Sequence, residues 1–296
     1  MILSLTNNSS RSNPTAGRRK LYYGWIVLLS CFVIGIIGSG IHLSFGVFFK
    51  SLEADFGLTR ASTSGIFSAH LLLGLVFAIL GGWALDRYGP RKVVTLMGIF
   101  MGLSLLLTSQ ASTLWHLFIT YSLLLAIGIG SIFPVLMSTT SMWFIERRGL
   151  ALGIAISGLH IGMVIVAPVS AYLITSYGWR MSYLILSLVT FFVTIPFALL
   201  LKRAPRKEAV LPEGDKPVTA NSDAIEKKVD AEHSGFSLLQ AAKTRNFWML
   251  FFTWSLGGLC YYTITTHLVP HAIDLGIVPT TAASTLSIAG GASTVS

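Results

Sequence analysis

The sequence predicts an all-α polytopic membrane protein, and three observations carry that prediction. Only 11% of the 296 residues are charged while 53% are hydrophobic, against about 25% charged in an ordinary soluble domain. The charges gather in short clusters separated by long charge-free stretches. Most lysines and arginines fall on alternate connections, the distribution that places basic residues on one side of a bilayer. All three have one cause. A charged side chain at a helix centre costs roughly 2.5–3.5 kcal/mol to insert.

Residues 1–21 open the chain, and the first 20 of them are polar and end in Arg18-Arg19-Lys20. The apolar run that follows is too long for the core of a cleavable leader, so the segment is expected to be a cytoplasmic N-terminal tail. Charge-free stretches then cover 21–49, 61–85, 93–145, 149–179, 181–201 and 246–273. A span needs about 20 residues, so the 53-residue stretch 93–145 holds two, split by the polar run from Thr108 to Thr113. Residues 22–201 thus form a six-helix N-terminal half.

Residues 202–244 are rich in Lys, Glu, Asp and Pro and read as a flexible cytoplasmic linker. Beyond it, 245–296 holds a seventh helix and an eighth that begins near Thr281. The eighth has about 16 residues at 1.5 Å each, too short for a core of about 30 Å, so the chain is expected to be incomplete at its C-terminus. With the N-terminus inside, 18 of the 21 basic residues lie on cytoplasmic segments, and Lys50, Arg60 and Arg180 lie outside. The expected location is the inner or plasma membrane of the cell. A plan of six helices, a linker and a second set suggests two repeated halves.

Net charge is +9, but the basic residues sit in short interhelical segments, where lipid headgroups explain them and nucleic acid does not. The lipid bilayer is the expected partner. Cys31 and Cys260 lie in separate spans and form no disulfide framework or metal spacing. No nucleophile elbow, metalloprotease motif or phosphate loop is present. No cofactor, metal or enzymatic activity is expected.

The most specific stretch lies between the second and third helices, where Gly82, Asp86, Arg87, Gly89, Arg91 and Lys92 hold the spacing G-x3-D-R-x-G-x-R-K. Read locally, Gly89-Pro90 makes a tight turn, Asp86 can accept from exposed helix N-terminal amides, and the bases anchor in the headgroup layer. A purely topogenic turn is the competing reading. The spacing resembles the signature loop of the major facilitator superfamily, and the resemblance implies that these six residues gate closure and do not bind substrate.

Further segments narrow the likeness. Tyr23-Gly24-Trp25, Ser44 to Phe49, Trp143-Phe144 with Arg147 to Gly149, Gly178-Trp179-Arg180 and His267-Leu268-Val269-Pro270 resemble the bacterial monocarboxylate-transporter-like group, near the oxalate/formate antiporters. The fold implied is a facilitator-type six-helix half plus the start of the second. The function implied is secondary active transport of a small organic anion, a monocarboxylate, by alternating access with a proton. Departures include the missing acidic residue before Tyr23 and Leu43 where animal members place a lysine. An oxalate/formate-type exchanger, another metabolite carrier and a truncated non-transporting membrane protein remain as alternatives.

No Asp or Glu lies deep in a span, so the titratable candidates for substrate or proton contact are His42, His160, His70 and His267. An ionisable group inside a membrane is a functional-site hypothesis, and histidine titrates near physiological pH. For each the alternative is a hydrogen-bonded packing histidine. Arg180 reads as a headgroup anchor or loop-ordering residue. Gly149-x3-Gly153 and Gly158-x3-Gly162 allow close helix approach, and Pro134, Pro168 and Pro196 are candidate kinks.

Overall fold

The computed structural model describes residues 23–144, 147–203, 242–285 and 288. These fold into helices and turns, with no strand among them. The expected tail over 1–21 and most of the linker over 202–244 lie outside the described residues.

The first span is two helices, α1 (Tyr23–Leu43) and α2 (Phe45–Phe56), joined at Ser44. Next come α3 (Arg60–Tyr88) and α4 (Pro90–Ser109). The fourth span is broken into α5 (Leu114–Leu117), a π-helical stretch Phe118–Leu124, α6 (Leu125–Ile129) and α7 (Ile132–Trp143). Helix α8 (Arg148–Leu200) holds two spans, and α9 (Arg245–Asp274) follows the linker. A further helix starts at 279 and is described to 285.

Five helices are long and apolar enough to cross a membrane, one of them the 53-residue α8. Helix α9 is 30 residues long but is not among the five, because its Tyr, Thr, Gly and His residues dilute its apolar content. The seventh span expected there therefore rests on length and freedom from charge.

Each charged turn does what the composition requires of it. Gly89 has φ 81° and ends α3, and Pro90 opens α4 at its first position, where a missing N–H costs nothing. Gly178 has φ 79° and ψ 164° and turns the chain inside α8. Pro168 and Pro196 leave α8 helical, so the bend expected of a proline falls on a glycine. The first span runs to Phe56, not Phe49, so Lys50, Glu53 and Asp55 sit on a helix and not in a loop.

Lipid tails are as apolar as leucine, so helices in a membrane associate through close packing and interhelical hydrogen bonds. Both devices are present. Gly158 leaves only 2.7 Å between an added Cβ and the Phe32 carbonyl, and Gly162 abuts Ile36 and Ser39. Ser39 donates to the Leu159 carbonyl at 2.5 Å, which fixes α1 against the first half of α8. The other glycine pair differs from expectation: Gly149 and Gly153 face open space. Ser187 donates to the Gly102 carbonyl at 2.8 Å and Ser104 to the Thr120 carbonyl at 2.7 Å, tying α4 to α8 and to the π-helical stretch.

The spans alternate in direction and so define two ends. The Tyr23 end collects Tyr88, Pro90, Trp143, Leu200 and Arg245, and the Asp274 end collects Phe56, Gln110 and Gly178. The main core fills the six-helix half. A second, smaller core joins Val47, Met163, Ala167 and Ala171 to Val269, Ala272, Ala282 and Ala283. This second core fastens the segment after the linker to α2 and α8 near the Asp274 end.

Candidate functional site

The centre of the molecule is organised by the break at Ser44. Ser44 donates from its backbone N–H (3.0 Å) and its hydroxyl (2.5 Å) to the Gly40 carbonyl, so the chain pauses and restarts without leaving the span. The pause puts His42 in the last turn of α1 and Phe45 in the first turn of α2. Phe45 stacks on Phe67 of α3 with ring centroids 5.0 Å apart and planes within 10°. One turn beyond Phe67 stands His70.

That stacking aligns the two histidines. His42 Nδ1 and His70 Nε2 are 3.0 Å apart, a hydrogen bond between two imidazoles. His70 is buried and His42 half-buried. Tyr121, from the π-helical stretch, lies 5.8 Å from the His70 ring. Ser122 donates to the Ile66 carbonyl at 2.7 Å and holds that stretch against α3. From beyond the linker, Tyr262 of α9 meets His42 edge-on at 5.7 Å.

Neither ring forms an ion pair with a carboxylate among the described residues. A charge buried without a partner is costly, so a proton taken up here calls for an anion beside it. The arrangement can do two things chemically: share a proton between rings, and offer an N–H to a carboxylate.

The other predicted residues stand apart from this pair. His160 is half-buried on α8, on the helical stripe of Met163, Ala167 and Ala171 that faces the segment after the linker. His267 is exposed and edge-on to Phe49 at 5.8 Å. In the signature loop, Asp86, Arg87, Arg91 and Lys92 are exposed at the Tyr23 end, while Gly82 is half-buried and Gly89 buried. Helix α4 carries no side-chain cap, so Asp86 does not cap the helix after it. Its backbone carbonyl instead accepts from Arg203 at 3.2 Å. Arg87 lies over the Trp83 and Tyr88 rings at 5.6 and 5.8 Å, which draws its charge away from Asp86.

At the Tyr23 end, two of the quoted segments meet. Tyr23 packs on Trp143 at 5.7 Å and Trp25 on Phe144 at 5.4 Å. The Tyr23 hydroxyl donates to the Leu200 carbonyl at 2.7 Å, and Trp143 Nε1 to the Lys202 carbonyl at 2.9 Å. Helices α1, α7 and the exit of α8 are thereby clasped.

At the Asp274 end lies an ionic seam that the sequence reading missed. Lys50 pairs with Asp274 at 2.6 Å and with Glu53 at 3.4 Å, and Arg60 also pairs with Asp274. Arg180 pairs with Asp55 at 2.8 Å, donates to the Ala111 carbonyl at 3.2 Å, and stacks on Trp179 at 4.4 Å. Arg180 is therefore a loop-ordering residue. The signal was present: Asp274 is the sole acid after the linker, and the bases at this end are the same three that break the charge bias. Beneath the seam, Gly46 brings α2 against α9, with an added Cβ only 2.9 Å from the Thr265 carbonyl.

Residues 25–296 match the family model described as Major Facilitator Superfamily. "Monocarboxylate transporter 11" of Homo sapiens is 30% identical over 273 residues, covering 92% of this chain and 54% of the relative. "Probable sulfoacetate transporter SauU" of Cupriavidus necator is 30% identical over 159 residues, covering 53% of this chain and 37% of that one. Among solved structures, a bacterial homologue of the human lysosomal transporter Spinster superposes with TM-score 0.65 at 19% identity, covering 88% of this chain and 58% of that one. The chain thus spans about half the length of the human relative it matches.

Proposed function

Because the chain belongs to the Major Facilitator Superfamily, we propose that it serves a secondary active carrier of small organic anions, monocarboxylates foremost, working by alternating access. Its relatives and fold are those of integral membrane transporters and not of enzymes. The observation that carries the proposal is the acid-free centre, where His42 and His70 share a hydrogen bond and Tyr262 closes on them from the second half. An anion is the cargo such a centre suits. The names of the relatives point the same way.

The two ends support the mechanism. The ionic seam and the second core hold the halves together at the Asp274 end. Contact held at one end is one limb of an alternating cycle, and rocking of one half against the other would exchange the ends. The bias of the basic residues supports a cytoplasmic Tyr23 end, with the loop from Gly82 to Lys92 as its gate. The membrane is the inner or plasma membrane, and His160, facing the second half, is a further candidate for cargo contact.

The test is uptake by proteoliposomes containing the full reading frame that encodes this chain. A labelled C2–C4 monocarboxylate should enter faster under an inward proton gradient. Labelled sulfoacetate and oxalate, assayed in the same way, judge the second reading, a dianionic substrate, which the Cupriavidus necator relative favours. Uptake indifferent to the gradient removes proton coupling, and no uptake of any of the three removes the substrate class.

A further inference from the structure

We infer that His42 and His70 form one proton site, a hydrogen-bonded dyad that takes up a single proton on an outer nitrogen and presents it to the anion through His42 Nε2. This deepens the carrier reading, on which its transport readout rests.

The count follows from the bonding. Two neutral imidazoles carry two ring protons on four nitrogens. One proton occupies the bridge between His42 Nδ1 and His70 Nε2, which are 3.0 Å apart. The other sits on an outer nitrogen, and the remaining outer nitrogen is bare. One added proton fills that bare nitrogen and leaves the bridge intact. A second would put N–H against N–H across the same gap and break the bond that holds the rings. The dyad therefore takes one proton and not two.

The burial pattern says where the proton lands. His70 Nδ1 is buried and makes no hydrogen bond of good geometry, although the Ser122 backbone lies near it. The His42 ring is half-buried and faces Tyr262 across the junction of the two halves. His42 Nε2 is thus the outer nitrogen that water and cargo can reach. With the bridge proton on His42 Nδ1 and the other ring proton on His70 Nδ1, His42 Nε2 is bare and ready to accept.

Among the described residues, the surroundings leave the charge no other partner. The titratable groups facing the dyad are Tyr121 from the π-helical stretch and Tyr262 from α9, with Tyr183 of α8 behind Tyr121 at 6.2 Å. Helix α2 contributes Phe45 and helix α3 contributes Phe67. None of these is a carboxylate, a lysine or an arginine. The protonated dyad is a buried cation, and a carboxylate at His42 Nε2–H neutralises it. Proton and anion then move as one neutral load, which avoids leaving a bare charge in the cleft while the halves rock.

The test counts protons on the protein carrying this chain, purified in detergent micelles. Wild type should take up one proton more than the double variant H42Q/H70Q as the solution is acidified from neutral. Each single variant keeps one imidazole and should still take up one proton, so wild type should exceed neither of them. A difference from the double variant of zero or two, or a wild type that takes up one proton more than each single variant, overturns the dyad. If the variants lose helical content by circular dichroism, imidazole-15N labelling of wild type decides instead: one coupling through the N–H···N bond supports the dyad and none overturns it. In proteoliposomes the ratio of uptake with and without the inward gradient should fall from several-fold to about one in H42Q/H70Q. A ratio kept in that variant overturns the dyad. If wild type transports no anion, the carrier reading fails while the proton count still judges the dyad.

Discussion

Lys50 Nζ stands 2.6 Å from Asp274 Oδ1, on two helices separated in sequence by the whole linker, and Arg60 reaches the same carboxylate from a third. Asp274 is the hinge of this seam, because its loss strips Arg60 of its carboxylate and leaves Lys50 with Glu53 alone. The side chains are 29% and 34% exposed, so each pair contributes about 0.2–1 kcal/mol. Asp274→Asn should therefore shift the closed population by roughly five-fold, for a combined loss of about 1 kcal/mol. Thr266→Cys, buried beneath the seam, reports it. A water-soluble maleimide should label that cysteine about five-fold faster with Asp274→Asn, and by less with Lys50→Ala, where Arg60 remains. Equal rates in all three proteins would show that the pairs do not hold the seam.

Arg180 ties three things together with one guanidinium: the Asp55 carboxylate, the Ala111 carbonyl and the Trp179 ring. Lysine has the charge but not the planar fork. Arg180→Ala should lower stability by about 1–2 kcal/mol, since a charged hydrogen bond and a cation–π contact go together. Arg180→Lys should fall between. Thermal unfolding midpoints in detergent check the order, and a midpoint unmoved in Arg180→Ala would mean that the cluster adds nothing.

These contacts show where reading a sequence stops. The spans could be read because the cost of burying charge is large and local, and Gly89-Pro90 marks a turn in the structure as it does in the sequence, whereas the turn at Gly178 came to light only in the structure. The quoted segments could be found but not joined: nothing in Tyr23-Gly24-Trp25 says that it packs on Trp143 and Phe144, about 120 residues away. Pairing is a property of helix arrangement, which single spans leave open. The same limit hid the dyad. His42 and His70 each stood as a candidate, but only the stacking of Phe45 on Phe67 brings them together. The π-helical stretch and the break at Ser44 were invisible because both sit inside long charge-free runs.

The two glycine pairs of α8 offer a matched comparison, since sequence spacing treats them alike and packing does not. An added Cβ at Gly162 meets the Ile36 carbonyl and the Ser39 hydroxyl, while at Gly153 it meets nothing within 4 Å. Gly162→Ala should cost about 1–3 kcal/mol by forcing α1 and α8 apart. Gly153→Ala should be neutral or stabilise by up to about 1 kcal/mol, through lost freedom of the unfolded chain. Melting curves of both variants in the same detergent test this. Equal losses at the two positions would mean that α1 and α8 do not cross where the structure has them.

The final prediction concerns Asp86, whose backbone carbonyl is held by Arg203 while its exposed carboxylate forms no ion pair among the described residues. A side chain that does no structural work in this state can be changed without harm to folding, so Asp86→Asn should insert and melt like wild type. If the loop gates the Tyr23 end, the carboxylate acts in another state, when that end closes and an amide N-terminus or a base from the second half comes within reach. A charge-assisted hydrogen bond contributes about 1.5–3 kcal/mol, so its loss should slow uptake by roughly ten-fold or more at unchanged expression. Uptake at the wild-type rate would show that the loop only sets topology. Lower melting together with slower uptake would show that Asp86 supports the fold and would remove the case for a gate.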